Sequence, residues 1–486
     1  GAPILAAAKV TGAPLAGFSF GLLDALVTHE RPLHLDTRQE SAAPQETTNY
    51  LAAVTRAGVG GDSWVGARFA AATPLGGECT AEDLAMDPRP RRCGTVGGNA
   101  LAIDTTLRSA DGQWALQGQI AASQVVGGPP SRLLRDGTVL ERGDLGAGGY
   151  VRLGKLGGEP WRFEARYEAE TPDFDVNATG FQRDSNRHFL FGSAAWVRPN
   201  GLGPLLSFDT TLRTENAWSA DGRGLDRAHT VSLETAATVP GFHRLRWFIM
   251  AAAENHDLRE LGGSGVAVLN PPTQYTRLTF ESDPSEVIST TSFAALGHWN
   301  GDGPSPGRFD WTLSGGVVVR PSDAWETRLD VVADRTLFNP RFVDRLADDR
   351  FLLGRLDFLT FTATLRQQWA VTNQLTLQGY LQYVSAFGVY GPFYEASGTP
   401  SDPIGAGDLM PIAAPAISPD FHSAQVAVNV IARWEYSPGS TIYLVYQRNQ
   451  SERPPDVVTK DLGSKSLFDG PAVDVLSIKW TWFWSG

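Results

Sequence analysis

The stretch Trp161-Arg162-Phe163-Glu164-Ala165-Arg166-Tyr167-Glu168-Ala169-Glu170 decides the fold. A strand sends successive side chains to opposite faces. Trp161, Phe163, Ala165, Tyr167 and Ala169 therefore share one face, and Arg162, Glu164, Arg166, Glu168 and Glu170 share the other. One side is apolar and the other is wholly charged. Helical spacing does not produce this division.

The same period of two recurs outward from this stretch. Trp114, Leu116, Ile120 and Ala122 oppose Gln117, Gln119 and Ser123. Trp325, Leu329, Val331 and Ala333 oppose Glu326, Arg328, Asp330 and Asp334. Phe361, Ala363, Leu365 and Trp369 oppose Thr360, Thr362, Thr364 and Arg366, and Leu375, Leu377, Leu381 and Tyr383 oppose Thr376, Gln378 and Gln382. Val426, Val428, Val430, Ala432 and Trp434 oppose Asn429, Arg433 and Glu435.

Soluble β-sandwiches also alternate, so the length of the runs and their connections must discriminate. Many runs reach ten residues or so, near the nine to eleven that a tilted membrane strand needs, whereas soluble strands centre on about five or six. Short turns fall at Ala110-Asp111-Gly112, Pro199-Asn200-Gly201, Val239-Pro240-Gly241, Asp283-Pro284-Ser285, Pro321-Ser322-Asp323, Val371-Thr372-Asn373 and Ser437-Pro438-Gly439. Between them lie long polar segments, at His29–Thr48, Leu75–Gly98, Gly127–Gly149, Thr171–Arg187, His256–Tyr275, Asn339–Arg350, Gly388–Ser423 and Ser451–Pro471. Short turns at one end and long loops at the other are the layout of an outer-membrane barrel. No stretch approaches the roughly eighteen uninterrupted apolar residues of a membrane helix. Backbone polar groups in hydrocarbon are satisfied only by helices or closed barrels, so closure follows as the expectation.

The reading is thus an all-β, closed antiparallel transmembrane barrel over residues 1–486, of about 20–22 strands. The first strand (around Ile4 to Val10) and the last (Val473 to Trp484) are expected to run in the same direction, so an even total near 22 implies one further strand upstream of Gly1. The opening Gly1-Ala2-Pro3-Ile4 reads as a processed or truncated end. In the last strand Leu476, Ile478, Trp480, Trp482 and Trp484 share a face. Such aromatics suit a membrane interface.

A formal net charge of -12 argues against a nucleic-acid partner, which calls for a basic stripe. The expected surroundings are outer-membrane lipid and lipopolysaccharide, with a protein partner in or on the barrel as a second class of contact. The only cysteines, Cys79 and Cys93, sit in one polar segment and suit a local disulfide in an oxidising compartment. A zinc pair is the weaker reading, since no nearby His or further Cys completes a ligand set.

Catalytic and metal signals are thin. Gly17-Phe18-Ser19-Phe20-Gly21 matches the hydrolase pattern G-x-S-x-G, but its surroundings alternate as a strand and lack the strand–turn–helix elbow that the mechanism requires. His29 and His34 share a loop without a third ligand, and Asp348 with Asp349 is an acidic loop pair of a kind usually just solvated. No enzyme activity, cofactor or metal is expected. The functional candidates are the charges on the inner face: Arg162, Glu164, Arg166, Glu168, Asp209, Arg213, Glu215, Arg328, Asp330, Arg366, Arg433 and Glu435. Charged rings in a pore set selectivity. Mixed signs on neighbouring strands can instead pair, at about 0.2–1 kcal/mol each.

Several motifs in combination carry a family resemblance: Pro3-Ile4-Leu5-Ala6-Ala7-Ala8-Lys9-Val10-Thr11-Gly12, Phe18-Ser19-Phe20-Gly21-Leu22-Leu23-Asp24-Ala25, Thr171-Pro172-Asp173-Phe174-Asp175-Val176-Asn177 with Gly180-Phe181, Arg433-Trp434-Glu435-Tyr436-Ser437-Pro438-Gly439-Ser440, and the strand from Asp474 to Trp484. In this order they resemble the bacterial family catalogued as domain of unknown function 5916. The resemblance implies an outer-membrane barrel that follows an N-terminal domain similar to a carbohydrate-binding module, and it supplies no catalytic residues. The expected function is a channel or uptake barrel for polar solutes, saccharides by that analogy. The alternatives are a scaffold barrel that holds partner proteins for secretion or surface assembly, and a barrel-embedded lipid or peptide hydrolase. No plug domain is visible, and Gly388–Ser423 is the segment long enough to fold into the lumen.

Overall fold

The computed structural model describes residues 4–28, 47–76, 95–182, 184–299, 308–347, 349–452 and 467–483. Cys79, Cys93, His29, His34, Asp348 and Trp484 lie outside the described residues. Among those described, the chain forms a 22-stranded antiparallel sheet and two small hairpins, Ser131–Leu133 with Val139–Glu141 and Asn255–Asp257 with Val268–Asn270. No described helix is long and apolar enough to cross a membrane. One of the 22 strands is the three-residue Met410–Ile412, which adds to the loop end of Leu375–Ser397. Setting it aside leaves 21 long strands, so Ile4–Leu15 and Ala472–Thr481 at the two ends of the sheet run in the same direction. The 22nd strand of the sheet is thus this short loop strand, and the parallel sense of the first and last long strands is as expected.

Trp161–Glu170 is one strand over the whole quoted stretch, with its neighbours Leu145–Lys155 and Arg187–Arg198 in unbroken register. All seven predicted short turns join neighbouring antiparallel strands. The final strand stops at Thr481, earlier than expected. Trp482 and Phe483 leave the ladder there, and the Phe483 N–H donates to Ser440 Oγ at 3.0 Å.

Burial runs opposite to that of a soluble sheet. Trp161, Phe163 and Tyr167 are exposed, as are Ile120, Val151, Leu153, Leu212, Leu278 and Leu313, while Arg162, Glu164, Arg166 and Glu168 are half-buried. The apolar side of the wall faces outward and the charged side inward. Trp114, Trp161, Trp325, Trp369, Trp434 and Trp480 are all exposed and stand close to the short turns, forming a belt at that end.

The hydrophobic core lies among the long loops. Leu261, Val266, Phe351, Leu353, Ala396 and Ile404 pack together there. Two predicted polar loops prove to be strand extensions: Trp325–Ala347, Arg350–Ala370 and Leu375–Ser397 are 21 to 23 residues long and rise past the rest of the wall. Pro340 falls at a register shift, where its missing N–H breaks no ladder bond. Beyond Ser397 the chain packs on the 261–269 loop, through Ile404 N to Ala267 O at 2.9 Å and Leu269 N to Ile404 O at 2.8 Å. The segment expected to enter the lumen therefore helps build a cap.

A different segment turns inward. Phe174 and Asp175 lie on the inner side of the wall, where the Asp175 N–H donates to Ser123 Oγ at 2.9 Å. Gly146 and Gly148 make room for them: a Cβ on Gly146 would lie 2.2 Å from Phe174 Cα, and one on Gly148 would lie 2.9 Å from the Phe174 ring. Gly146→Ala is expected to displace this loop at an overpacking cost of about 1–3 kcal/mol. Amide exchange across 171–182 should then rise roughly tenfold or more. Unchanged exchange in a folded variant would contradict the packing.

Candidate functional site: the charged inner wall and its loop cap

Strand pairing places the predicted inner-face charges beside partners on the same face. Arg152 donates to Glu164 through Nε and Nη2, both at 2.7 Å, and to Gln117 Oε1 at 3.0 Å. Glu168 lies 3.2 Å from both Arg166 and Arg187. Arg213 reaches Glu234 at 3.2 Å, and Arg246 bridges Glu234 and Glu281 at 3.6 Å each. Asp209 meets Arg244 at 3.7 Å, Arg328 meets Asp330 at 2.7 Å, and Arg433 meets Glu435 at 2.9 Å. Three candidates stand apart. Arg162 donates to Gly158 O at 3.0 Å, Arg366 lies over the Tyr380 ring at 5.7 Å, and Glu215 joins no ion pair among the described residues. The wall is thus a ladder of paired charges. Arg152, Arg187, Glu234 and Arg246 complete it, and the same alternation marks Arg152 between Val151 and Leu153.

Above this wall the loops interlock around Asn186, which is 1% exposed and holds the left-handed backbone at φ 55°. Its amide donates to Asp221 Oδ2 at 2.9 Å and to Asp136 Oδ2 at 3.2 Å, and its Oδ1 accepts from the Ala220 N–H at 3.0 Å. Arg223 clasps Asp221 through Nη2 at 2.6 Å and donates onward to Gly265 O at 2.7 Å and Pro400 O at 3.4 Å. Arg259 pairs with Asp184 at 2.7 Å, Arg132 pairs with Asp175, and Arg341 pairs with Glu260 at 2.7 Å. Loops from widely separated strands therefore meet, which only a strongly curled sheet permits. A cavity of about 170 Å3 opens between them, lined by Asp136, Asp175, Asn177, Asp184, Arg227 and Arg259. Sequence reasoning missed this cluster because its partners are far apart in the chain. The only trace was the Thr171–Asn177 motif, now seen to place Asp175 and Asn177 in the cavity.

Two loop carboxyls are shifted in opposite directions. Burial would raise Asp221, but hydrogen bonds from Arg223 and Asn186 overcome it and hold the carboxyl well below the usual range. Burial raises Glu260 despite Arg341. A depressed carboxyl stabilises the cap above its unfolded pKa, and that contribution is lost only as pH falls through the folded value. A raised carboxyl has the reverse sign, so protonating Glu260 relieves a cost. The cap is therefore expected to stay closed, or tighten slightly, as pH falls from 7 toward 5, and to loosen only below about 4, under the ordinary carboxylate range. Protease sensitivity of the 258–268 loop against pH checks this; loosening between 7 and 5 would contradict it.

Ser19 of the G-x-S-x-G match lies inside strand Phe18–Val27, opposite Arg56, with no helix after it. Among the described residues no three His, Cys, Asp or Glu side chains gather as a metal site.

In comparisons with known proteins, solved structures of the ferric enterobactin receptor PfeA are similar in shape. One, a complex, covers 91% of this chain and 72% of its own at 10% identity and a TM-score of 0.49. A mutant of the receptor from Pseudomonas aeruginosa covers 91% and 71% at 11% identity and a TM-score of 0.47. No curated protein matches. The model of the domain of unknown function DUF5916 matches residues 91–484. The first two resembling motifs, before Ala25, fall outside that match, and the later ones fall within it. With most of its length matched, the chain belongs to the DUF5916 family.

Proposed function

We propose that this chain is a bacterial outer-membrane β-barrel, closed around an aqueous lumen, through which a polar solute passes inward. One observation carries the reading: the apolar face of the wall is exposed and the charged face is half-buried. Hydrocarbon outside and water inside stabilise that arrangement, and bulk water outside would not. Closure follows from the same premise, because an open sheet edge in lipid leaves backbone groups unsatisfied.

The paired wall charges favour a wetted, weakly selective passage over a single-sign filter. The cap narrows the outer mouth, and its polar cavity is a suitable first contact for a hydroxyl-rich solute such as a saccharide. The role is conduction and uptake, with no chemical step.

Single-channel recording of the purified chain in a planar bilayer tests this. Discrete openings are expected, small in the wild type and larger when the cap is loosened by Arg223→Ala. Silence from correctly inserted wild type and loosened variant alike would overturn the conduit reading.

A further inference from the structure

Part of the inner wall departs from the charged ladder. In the strands at the N-terminal end of the sheet, the register places Leu23 opposite Lys9 and Ala52, Val54 opposite Gly21 and Arg68, and Ala102 opposite Arg68 and Ala121. Ala121 shares its face with Gln117, Gln119 and Ser123, so this whole set points inward. The inner surface here is small and apolar, and Leu23 and Val54 remain 42% and 44% exposed on it. Lumen positions facing only water have no reason to carry such residues, and uncovered apolar patches mark binding surfaces.

Phe174 and Val176 of the inward loop reach over this patch and with it line an open cavity of about 640 Å3. That volume falls within the range of small-molecule sites, which are mostly apolar with a few placed polar groups. Thr11 and Gln119 are its neutral polar groups, and its charged ones are Lys9, which makes no ion pair among the described residues, and Arg68, held at 2.7 Å by Asp104.

We propose that this chamber binds a single-chain acyl amphiphile with an anionic head. The chain lies against Leu23, Ala52, Val54 and Ala102 under Phe174, and the head lies beside Lys9. An acyl chain suits the side chains of Leu23, Ala52, Val54 and Ala102, which offer no hydrogen-bond donor, while Thr11 and Gln119 lie at the same cavity. The neighbouring Arg68 is neutralised by Asp104, so Lys9 supplies the one unsatisfied positive charge at the chamber among the described residues. This site lies on the lumen side of the wall and so rests on the barrel reading above, but it does not depend on solute uptake.

The test uses the purified barrel in nanodiscs, with dansyl-undecanoic acid as the probe and its uncharged methyl ester as the comparison. Wild type should give saturable, blue-shifted emission with the acid. Ala102→Trp, which fills the chamber, should weaken both probes by about tenfold or more, since it displaces several buried methylenes. Lys9→Ala should weaken the acid severalfold and leave the ester unchanged. Val54→Asp, a charge at a lumen-facing position, gives a second chamber variant if the tryptophan impairs folding. Absence of saturable binding to wild type, or equal affinity in a folded chamber variant, overturns the proposal. Equal loss of acid and ester in Lys9→Ala overturns the assignment of an anionic head.

Discussion

Asn186→Ala opens the cap. The substitution removes the donor shared by Asp136 and Asp221 and the acceptor for the Ala220 N–H, at a site 1% exposed. Each buried partner left unsatisfied costs about 1–3 kcal/mol. The loss is softened because Thr138 still donates to Asp136 and Arg223 still holds Asp221. Alanine also tolerates the left-handed backbone less well than asparagine, by roughly 1 kcal/mol. A net destabilisation near 3 kcal/mol corresponds to cap opening about a hundredfold more often. Amide exchange in nanodiscs should rise by that factor at residues 131–141 and 258–268 and stay unchanged in the wall strands. Asn186→Gly keeps the backbone preference and loses the amide, so it should reproduce most of the effect. Normal protection in both variants would mean that the loops do not depend on this side chain.

Val151→Arg damages the wall far more than a charge placed one face away. Val151 is 47% exposed on the outer face, midway along Leu145–Lys155. Arginine on the lipid face at mid-depth costs about 2–4 kcal/mol, whereas lumen substitutions mainly tune selectivity. Gln119 pairs across from Tyr150 at nearly the same level but points inward, so Gln119→Arg should cost under about 1 kcal/mol. Urea unfolding from lipid vesicles measures both. Equal costs would mean that the two faces meet the same medium.

The wall was legible in the sequence and the cap was not, for a physical reason. In Trp161–Glu170 each side chain reports its own face, so local spacing specifies strand, orientation and environment together. The short turns carry Gly, Pro, Asn or Asp, whose backbone preferences act within a few residues. The cap rests on contacts such as Arg223 to Pro400, 177 residues apart, for which no local pattern exists. Arg341, Phe342 and Asp344 read as loop because their strand extends past the rest of the wall, where polar and apolar residues no longer alternate by face. The inward loop was missed for another reason: Gly146 and Gly148 fall in Gly127–Gly149, which reads as loop, and nothing local shows that they begin a strand on which Phe174 lies. The chamber was hidden because Leu22-Leu23, Ala52–Val54 and Ala100–Ala102 are apolar on both faces, and the period of two then carries no contrast.

Spin labels placed one at a time from Arg162 to Ala169 test the central claim most directly. Collision with oxygen, which concentrates in hydrocarbon, should peak at 163, 165 and 167. Collision with a water-soluble nickel chelate should peak at 162, 164 and 166. That alternation is the expected result for a wall with lipid outside and water inside. Uniform nickel access along the strand, or the reverse phase, would contradict it.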